Sequence, residues 1–233
     1  MSAQLPLLLR WPHRQRFEFF HPGGNAAALA AVRRAAETEG APWVYLHGPA
    51  GSGRSHLLLA ACQAASVQGR RAQYLPLGSL SERAEALRGS AGAELLALDE
   101  LEHVAGDRAA EHALFDLYNA TRAAGGCLLF AAAAAPAGLG IELPDLRSRL
   151  GACVRFLLQP LDEPARREVV RRYAAERGLH LDAAVLDWLF VHESRELDAL
   201  FGLLDRLDRA SLAARRRVTV PFLRDWLRRS TGA

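Results

Sequence analysis

The stretch GPAGSGRSH, from Gly48 to His56, decides the fold class of this chain. It follows the apolar run WVYLH and leads into SHLLLAACQAA, which has the composition of a helix. A glycine-rich turn between a buried strand and a helix lets backbone amides surround phosphate groups at the helix N-terminus. The spacing of Gly48, Gly53, Arg54 and Ser55 is typical of a Walker A loop with arginine in place of lysine. A glycine-rich turn that binds nothing is the alternative.

Arginine at position 54 changes the chemistry expected of this loop. Lysine brings a compact charge to the β and γ oxygens of a nucleotide, and arginine is a poor substitute for it in a tight turn. Because all 29 basic residues of the chain are arginine, a general compositional bias is a second explanation. The loop predicts nucleotide binding with weak hydrolysis. The residues predicted to bind nucleotide here are Gly48, Pro49, Ala50, Gly51, Ser52, Gly53, Arg54, Ser55 and His56, with the Ser55 hydroxyl on Mg²⁺.

Short apolar runs alternate with helical segments over the first two thirds of the chain. Such runs are typical of strands buried on both faces, and parallel strands joined by helices are the natural assembly. The predicted strands are 43–47, 72–77, 94–100, 127–133 and 153–158. After Pro160 the pattern becomes helical, with segments 162–178, 182–192, 195–213 and 221–229, predicted N-caps at Asp162, Asp182 and Ser194, and Pro221 in a first turn. The sequence predicts an α/β P-loop domain with a parallel sheet flanked by helices, then a small all-helical lid domain.

Composition narrows the class of protein further. Half of the 233 residues are hydrophobic, which is ample for a buried core, and no apolar run reaches the length of a membrane helix. No basic stretch precedes Leu5 to Leu9, so a signal peptide is not indicated, and a cytoplasmic location is expected. The scattered Cys62, Cys127 and Cys153 predict buried free thiols. A net charge of +3 is too small to indicate a nucleic-acid partner by itself.

Two carboxylates end the predicted strand LLALDE. In a P-loop protein Asp99 would hold Mg²⁺ through water and Glu100 would polarise the attacking water. A strand that simply ends at a solvated turn is the alternative. The next strand, CLLFAAA, offers only alanines where a polar residue near its end would sense the γ-phosphate, and Ala133 supplies no side-chain hydrogen bond. These features favour a nucleotide held as a structural or regulatory ligand and turned over slowly.

The whole pattern resembles the AAA+ ATPases of the replication-initiator DnaA group, and most closely the short regulatory family Hda. The matching segments are FEFFHPGGN (17–25), GPAGSGRSH, LLALDELEHVAG, FDLYNATRAAG, LPDLRSRL (143–150) and RELDALFGLLDRLDRAS. The resemblance implies an arginine finger at Arg149, with Arg147 as the weaker candidate, and a sensor II arginine at Arg195 that contacts the chain's own nucleotide. Each of these arginines taken alone is more typical of a surface salt bridge. Ala133 departs from the family, where a polar sensor I residue is usual.

The N-terminal stretch QLPLLL carries alternating leucines that an extended segment would present on one face. An N-terminal strand packed on its own core explains the pattern equally well. The stretch resembles the peptide with which Hda binds the DNA-loaded sliding clamp, which implies clamp-binding residues Gln4, Leu5, Leu7, Leu8 and Leu9. An initiator would continue after the lid into a helix-turn-helix DNA-binding domain, so a chain that ends at VTVPFLRDWLRRSTGA favours a regulator.

The resemblance therefore implies an adaptor that binds ADP (or ATP) with Mg²⁺, grips the sliding clamp (the β subunit of DNA polymerase) and touches DNA only through it. Its finger would stimulate hydrolysis of ATP bound to DnaA and so prevent re-initiation of replication. The expected organisation is a tether at 1–12, an AAA+ domain at 13–160 and a lid at 161–233; a homodimer is possible. The alternatives are a helicase loader that acts on single-stranded DNA with its own ATPase, and a P-loop scaffold that has lost nucleotide.

Overall fold

The computed structural model describes residues 14–193, 196–214 and 216–231. The chain divides into two compact units between Pro160 and Leu161. Within the described ranges, every helix is too short or too polar to cross a membrane.

The first unit is built on a five-stranded sheet whose strands all pair in parallel. The strands are β1 (Val44–His47), β2 (Ala72–Pro76), β3 (Leu95–Asp99), β4 (Cys127–Ala132) and β5 (Val154–Leu157). Their order across the sheet is β2-β3-β4-β1-β5. The helices of this unit are α1 (Ala26–Glu37), α2 (Arg54–Val67), α3 (Arg83–Gly89), α4 (Arg108–Ala123) and α5 (Pro144–Gly151). The predicted α/β fold with a parallel sheet flanked by helices is confirmed.

Successive residues of a strand point to opposite faces of the sheet. Because the strands carry apolar residues on both faces, helices cover both of them. One face buries Tyr45, Leu96, Leu98, Leu128 and Phe130 together with Leu87, Leu114, Leu117, Leu146 and Leu150 of α3, α4 and α5. The other face buries Val44, Leu46, Leu95, Ala97 and Leu129 together with Val32, Ala35, Leu57, Leu58 and Ala61 of α1 and α2. The cysteines are free and buried, as predicted. Burial of apolar side chains on both faces is the main favourable contribution to the stability of this unit.

The last strand is an exception to the predicted burial on both faces. β5 lies at the edge of the sheet, and Val154 and Leu157 are 42% and 56% exposed. β2, at the other edge, is only half-buried over most of its length. An apolar run does not reveal whether its strand has neighbours on both sides, since strand order is decided by the whole sheet. The expectation of double-sided burial was therefore wrong for β5.

The second unit is entirely helical over its described residues and is the predicted lid. Its helices are α6 (Glu163–Ala175), α7 (Ala183–His192), α8 (Leu197–Ala214) and α9 (Val220–Thr231). The side chain of Asp162 accepts a hydrogen bond from the Ala165 amide, and that of Asp182 accepts one from the Val185 amide, so both predicted N-caps are confirmed. The predicted cap at Ser194 lies outside the described residues. Buried residues that include Val170, Leu189, Leu204 and Leu223 form a core of its own.

Candidate functional site

The glycine-rich loop connects the carboxyl end of β1 to the first residue of α2. Its glycines adopt positive φ angles of 72° at Gly51 and 91° at Gly53, a region that glycine enters without steric cost. A Cβ on Gly48, whose φ is 152°, would lie 2.5 Å from the main-chain oxygen of Leu158. A Cβ on Gly53 would lie 2.7 Å from Cε2 of Phe20. The predicted glycine positions are therefore required by the shape of the loop and its close neighbours.

Two polar atoms of the loop are buried without a hydrogen-bond partner in the described part of the chain. They are Oγ of Ser52, a residue only 5% exposed, and Nη1 of Arg54. Buried polar atoms usually have partners, and each lone one costs about 1 to 3 kcal/mol. Phosphate oxygens accept bonds from hydroxyl and guanidinium groups, so both atoms fit a phosphate-bearing ligand. The donor set at the start of α2 is therefore suited to the predicted nucleotide.

The segment that precedes α1 packs on the first turn of α2. The ring of Phe20 meets the ring of His56 edge to face with 5.4 Å between centroids, and Nε2 of His56 lies 2.9 Å from the main-chain oxygen of Arg16. The side chain of Asn25 exchanges two 2.8 Å hydrogen bonds with the backbone of Gln159, just beyond β5. These contacts hold the segment before α1, which includes the matching stretch FEFFHPGGN, close to the loop.

Asp99 ends β3 as a buried carboxylate that is 2% exposed, with both oxygens engaged. Oδ1 accepts from the Glu100 amide at 2.9 Å, and Oδ2 accepts from the hydroxyl of Tyr74 at 2.7 Å. The pKa of Tyr74 is raised, mainly by burial and then by the charge of Asp99, while a hydrogen bond with the Ser55 side chain acts in the opposite direction. Tyr74 thus joins the two predicted ligands of Mg²⁺. Sequence reasoning missed it, although a tyrosine in the strand beside LLALD is a usable signal.

Protein side chains alone do not assemble a metal site here. In residues 14–193, 196–214 and 216–231, no group of three or more His, Cys, Asp or Glu side chains has an arrangement that could hold a metal ion. Mg²⁺ in nucleotide sites is commonly bound by one or two protein oxygens plus phosphate oxygens and water. Ser55 and Asp99 fit that limited role.

Glu100, the predicted weak base, is turned toward the segment after β2. Its backbone has a φ of 57°, the only positive value among the non-glycine residues described. Oε2 of Glu100 accepts a hydrogen bond from the amide of Gly78 at 3.2 Å. A Cβ on Gly78 would lie 2.5 Å from the same oxygen, so glycine there makes the contact possible. The carboxylate that would polarise water is therefore engaged elsewhere.

The end of β4 carries no polar side chain at the position where the family has sensor I. The amide of Ala133 donates instead to Oε2 of Glu102 at 3.2 Å, and the hydroxyl of Tyr45 donates to the Ala134 carbonyl at 2.9 Å. The pKa of Tyr45 is raised first by burial and then by the charge of Glu102, whereas the charge of Arg54 lowers it. The Tyr45 hydroxyl is thus close enough to Glu102 and Arg54 for both charges to affect its pKa.

The helix α5 carries both candidate fingers, which differ in their surroundings. The guanidinium carbon of Arg149 lies 5.0 Å from the ring centre of Phe115 and 5.3 Å from that of Tyr118, both on α4. Arg149 is half-buried, whereas Arg147 is exposed. A guanidinium held over two aromatic rings loses less conformational freedom when it binds. Of the two arginines, Arg149 is the one whose position the fold restrains.

Several predicted site residues lie outside the described part of the chain. They are Arg195 and the clamp-binding set Gln4, Leu5, Leu7, Leu8 and Leu9. Their roles stay predictions.

Comparison with known families identifies the second unit directly. Residues 162–227 match the family model described as "Hda, lid domain". The chain therefore carries an Hda-type lid domain. The match covers α6, α7 and α8 and reaches into α9.

Solved structures with the same fold include DnaA proteins and a branch-migration motor. Domain III of DnaA from Thermotoga maritima is 21% identical and covers 91% of this chain and 95% of its own, with a TM-score of 0.73. DnaA bound to AMPPCP and single-stranded DNA is 22% identical, covers 85% of this chain and 66% of its own, and has a TM-score of 0.69. RuvB from Thermotoga maritima, a Holliday-junction branch-migration motor, is 18% identical, covers 85% of this chain and 65% of its own, and has a TM-score of 0.61. This chain spans about two thirds of the length of two of these proteins, and the likeness establishes the AAA+ fold.

Proposed function

We propose that this Hda-like protein is a nucleotide-bound adaptor that regulates the initiator DnaA, with ADP as its nucleotide. The single observation that carries the proposal is the loop after β1, where Ser52 Oγ and Arg54 Nη1 are buried without partners at the start of a helix. An Hda-type lid next to a DnaA-type fold supports the choice of DnaA as the regulated protein.

In this proposal the loop residues hold the nucleotide's phosphates. The amides of Gly51, Gly53 and Arg54 bind phosphate oxygens at the helix N-terminus, and the Arg54 guanidinium adds a charge-assisted hydrogen bond. The Ser55 hydroxyl and Asp99, through water, hold Mg²⁺, which neutralises phosphate charge when bound. By the resemblance, Arg195 is proposed as a further nucleotide-binding residue.

Slow turnover by this chain follows from three features of the site. Glu100 is bound to the Gly78 amide, so its carboxylate is not poised to polarise water. Ala133 has no polar side chain to position water or sense a γ-phosphate. Arg54 replaces the compact charge of lysine. The arrangement therefore favours retention of nucleotide over hydrolysis.

The activity we propose for this adaptor acts on a nucleotide bound by its partner. Arg149 would place its guanidinium beside the γ-phosphate of ATP held by DnaA, where positive charge stabilises the transition state. A finger supplied in trans in this way accelerates hydrolysis by ~10³- to 10⁵-fold. The rings of Phe115 and Tyr118 support this role by restraining the guanidinium before the partner arrives.

We also propose that residues 4–9 bind the sliding clamp and so bring the finger to DnaA on replicated DNA. The partners would place this activity in the cytoplasm. Replacement of Leu7 by alanine is expected to abolish co-purification with the clamp without lowering the melting temperature. A tether leaves no cavity when it is truncated, whereas a core leucine costs about 2 to 5 kcal/mol. A lower melting temperature with the clamp still bound would contradict the tether.

The nucleotide site is tested by calorimetric titration with ADP and Mg²⁺. We expect binding by the wild-type protein and at least a tenfold weaker affinity for Gly53→Ala, whose Cβ would meet Phe20 at 2.7 Å. Gly92→Ala is the matched control, because it also has a positive φ but nothing within 4 Å of a new Cβ. No ADP binding by the wild type would overturn the site, and rapid ATP turnover would overturn the adaptor.

The finger is tested with a pair of variants from one helix. Arg149→Ala should abolish the stimulated release of phosphate from ATP-loaded DnaA in the presence of clamp and DNA, with ADP binding by the adaptor unchanged. Arg147→Ala, an exposed arginine two residues away, should retain most of the stimulation. If Arg147→Ala is the inactive variant, the finger has been assigned to the wrong residue. If both variants stimulate DnaA as the parent does, the in-trans mechanism itself must be abandoned.

A further inference from the structure

Glu102 lies beside the carboxyl end of β4, where this chain has Ala133 in place of the family's polar sensor I residue. Glu102 lies in the short helical turn that follows Asp99 and Glu100, and it is half-buried. Its Oε2 accepts a hydrogen bond from the Ala133 amide at 3.2 Å, across 31 residues of sequence. The carboxylate is therefore tied to the carboxyl end of β4 although it belongs to the segment after β3.

This end of β4 adjoins the phosphate-binding loop. β4 pairs with β1, with Ala132 in register with His47, and the loop begins at the next residue, Gly48. The Tyr45 hydroxyl binds the Ala134 carbonyl at 2.9 Å, and the charges of both Glu102 and Arg54 act on that phenol. Glu102 thus places negative charge near the loop that we propose binds phosphates.

We infer that Glu102 makes this site select nucleoside diphosphates over triphosphates. The inference rests on the nucleotide site proposed above and names the residue that sets its specificity. A γ-phosphate would add negative charge toward the end of β4, where the Glu102 carboxylate is held by a main-chain amide. The bond between Glu102 and Ala133 is exposed to solvent, so the repulsion is strongest at low ionic strength. Within one Debye length, about 8 to 10 Å, like charges still disfavour the triphosphate. A diphosphate, which ends one phosphate earlier, avoids most of this repulsion.

The test compares the affinities of ADP and of its β,γ-methylene triphosphate analogue AMPPCP, measured calorimetrically with saturating Mg²⁺. We expect the wild-type protein to prefer ADP, and Glu102→Gln to reduce that preference by roughly tenfold through tighter AMPPCP binding, with ADP affinity changed less than twofold. Tenfold corresponds to about 1.4 kcal/mol. This size is expected for unit charges about 10 Å apart at an effective dielectric constant of about 20. Glutamine retains the oxygen that accepts from Ala133.

Glu94→Gln is the matched control, because Glu94 also accepts a main-chain hydrogen bond, from Arg71 at 2.7 Å. Glu94 lies at the amino end of β3, whereas the loop follows the carboxyl end of β1, so the two lie at opposite ends of the parallel strands. Its removal takes away the same charge without approaching the phosphates, so the ratio of affinities should not change. Glu102→Asp, which keeps the charge, should retain most of the preference for ADP.

The possible failures of the test are separable. If Glu102→Gln changes the affinities of ADP and AMPPCP equally, or changes neither, the inference is wrong while the nucleotide site stands. If the wild-type protein binds neither ligand, the proposed function fails instead. Should Glu102→Gln unfold at the working temperature, Glu102→Ser removes the same charge with a smaller side chain. An unchanged affinity ratio in that variant would equally overturn the inference.

Discussion

The buried carboxylate of Glu111 offers the strongest test of how α5, the helix of the proposed finger Arg149, is positioned. Glu111 lies in the first turn of α4 and is 2% exposed. Its Oε1 accepts from the amides of Gly106 at 2.9 Å and Glu142 at 3.0 Å, and its Oε2 accepts from Glu142 at 3.1 Å and Leu143 at 2.7 Å. One side chain therefore ties the loop after β3 to the loop that begins α5, the helix of Arg149.

Replacement of Glu111 by glutamine converts one acceptor oxygen into an amino group that faces backbone N–H donors. At least one of the bonds, to Gly106 or to Leu143, must be lost. A hydrogen bond to a charged group contributes about 1.5 to 3 kcal/mol, so we expect Glu111→Gln to lower the free energy of unfolding by about 2 kcal/mol. For a protein of this size that corresponds to a fall in melting temperature of about 4 to 8 °C.

The assay is thermal unfolding followed by circular dichroism, with Glu142→Gln as the control. Glu142 lies in the same loop but its side chain is exposed, so its neutralisation should change stability by less than about 0.5 kcal/mol. Because α5 loses one of its anchors, Glu111→Gln should also weaken stimulation of DnaA while ADP binding is preserved. A melting temperature within 1 °C of the parent would refute the reasoning about these bonds.

Three further predictions concern the nucleotide site and its surroundings. Gly48→Ala places a Cβ 2.5 Å from the Leu158 carbonyl oxygen and should lower the free energy of unfolding in urea by about 2 kcal/mol or more. Gly69→Ala, a control with a positive φ but nothing within 4 Å of the new Cβ, should lower it by about 1 kcal/mol. Equal urea midpoints for the two variants would contradict the close contact. Tyr74→Phe removes the bond that orients the β3 aspartate, so Mg²⁺ should strengthen ADP binding several-fold less than in the parent, as measured by titration with Mg²⁺ or with EDTA; an unchanged Mg²⁺ effect would refute that role. Asn25→Ala removes two 2.8 Å hydrogen bonds to the main chain of Gln159, just beyond β5, and should destabilise the first unit by about 2 kcal/mol. The expected readout is a lower midpoint of urea unfolding, and an unaltered midpoint would contradict this role.

The features that were readable from the sequence are those that depend on neighbours along the chain. The glycine loop requires residues without Cβ atoms at fixed spacing between a strand and a helix, so its position and shape could be predicted. The caps at Asp162 and Asp182 are equally local, since each side chain bonds an amide three residues ahead. Strand boundaries were correct to within one residue at either end for the same reason, because apolar runs end where the chain leaves the core.

The sequence by itself determined the class of fold, the loop and the acidic pair at the end of β3, while the tertiary structure decided what those groups contact. Tyr74 meets Asp99, and Glu102 meets Ala133, across 25 and 31 residues of chain. The edge position of β5 likewise depends on the order β2-β3-β4-β1-β5. Local patterns of polarity carry no information about which strands become neighbours or in what register, because those are set by packing of the whole sheet. Partners distant in sequence therefore became visible only in the folded chain.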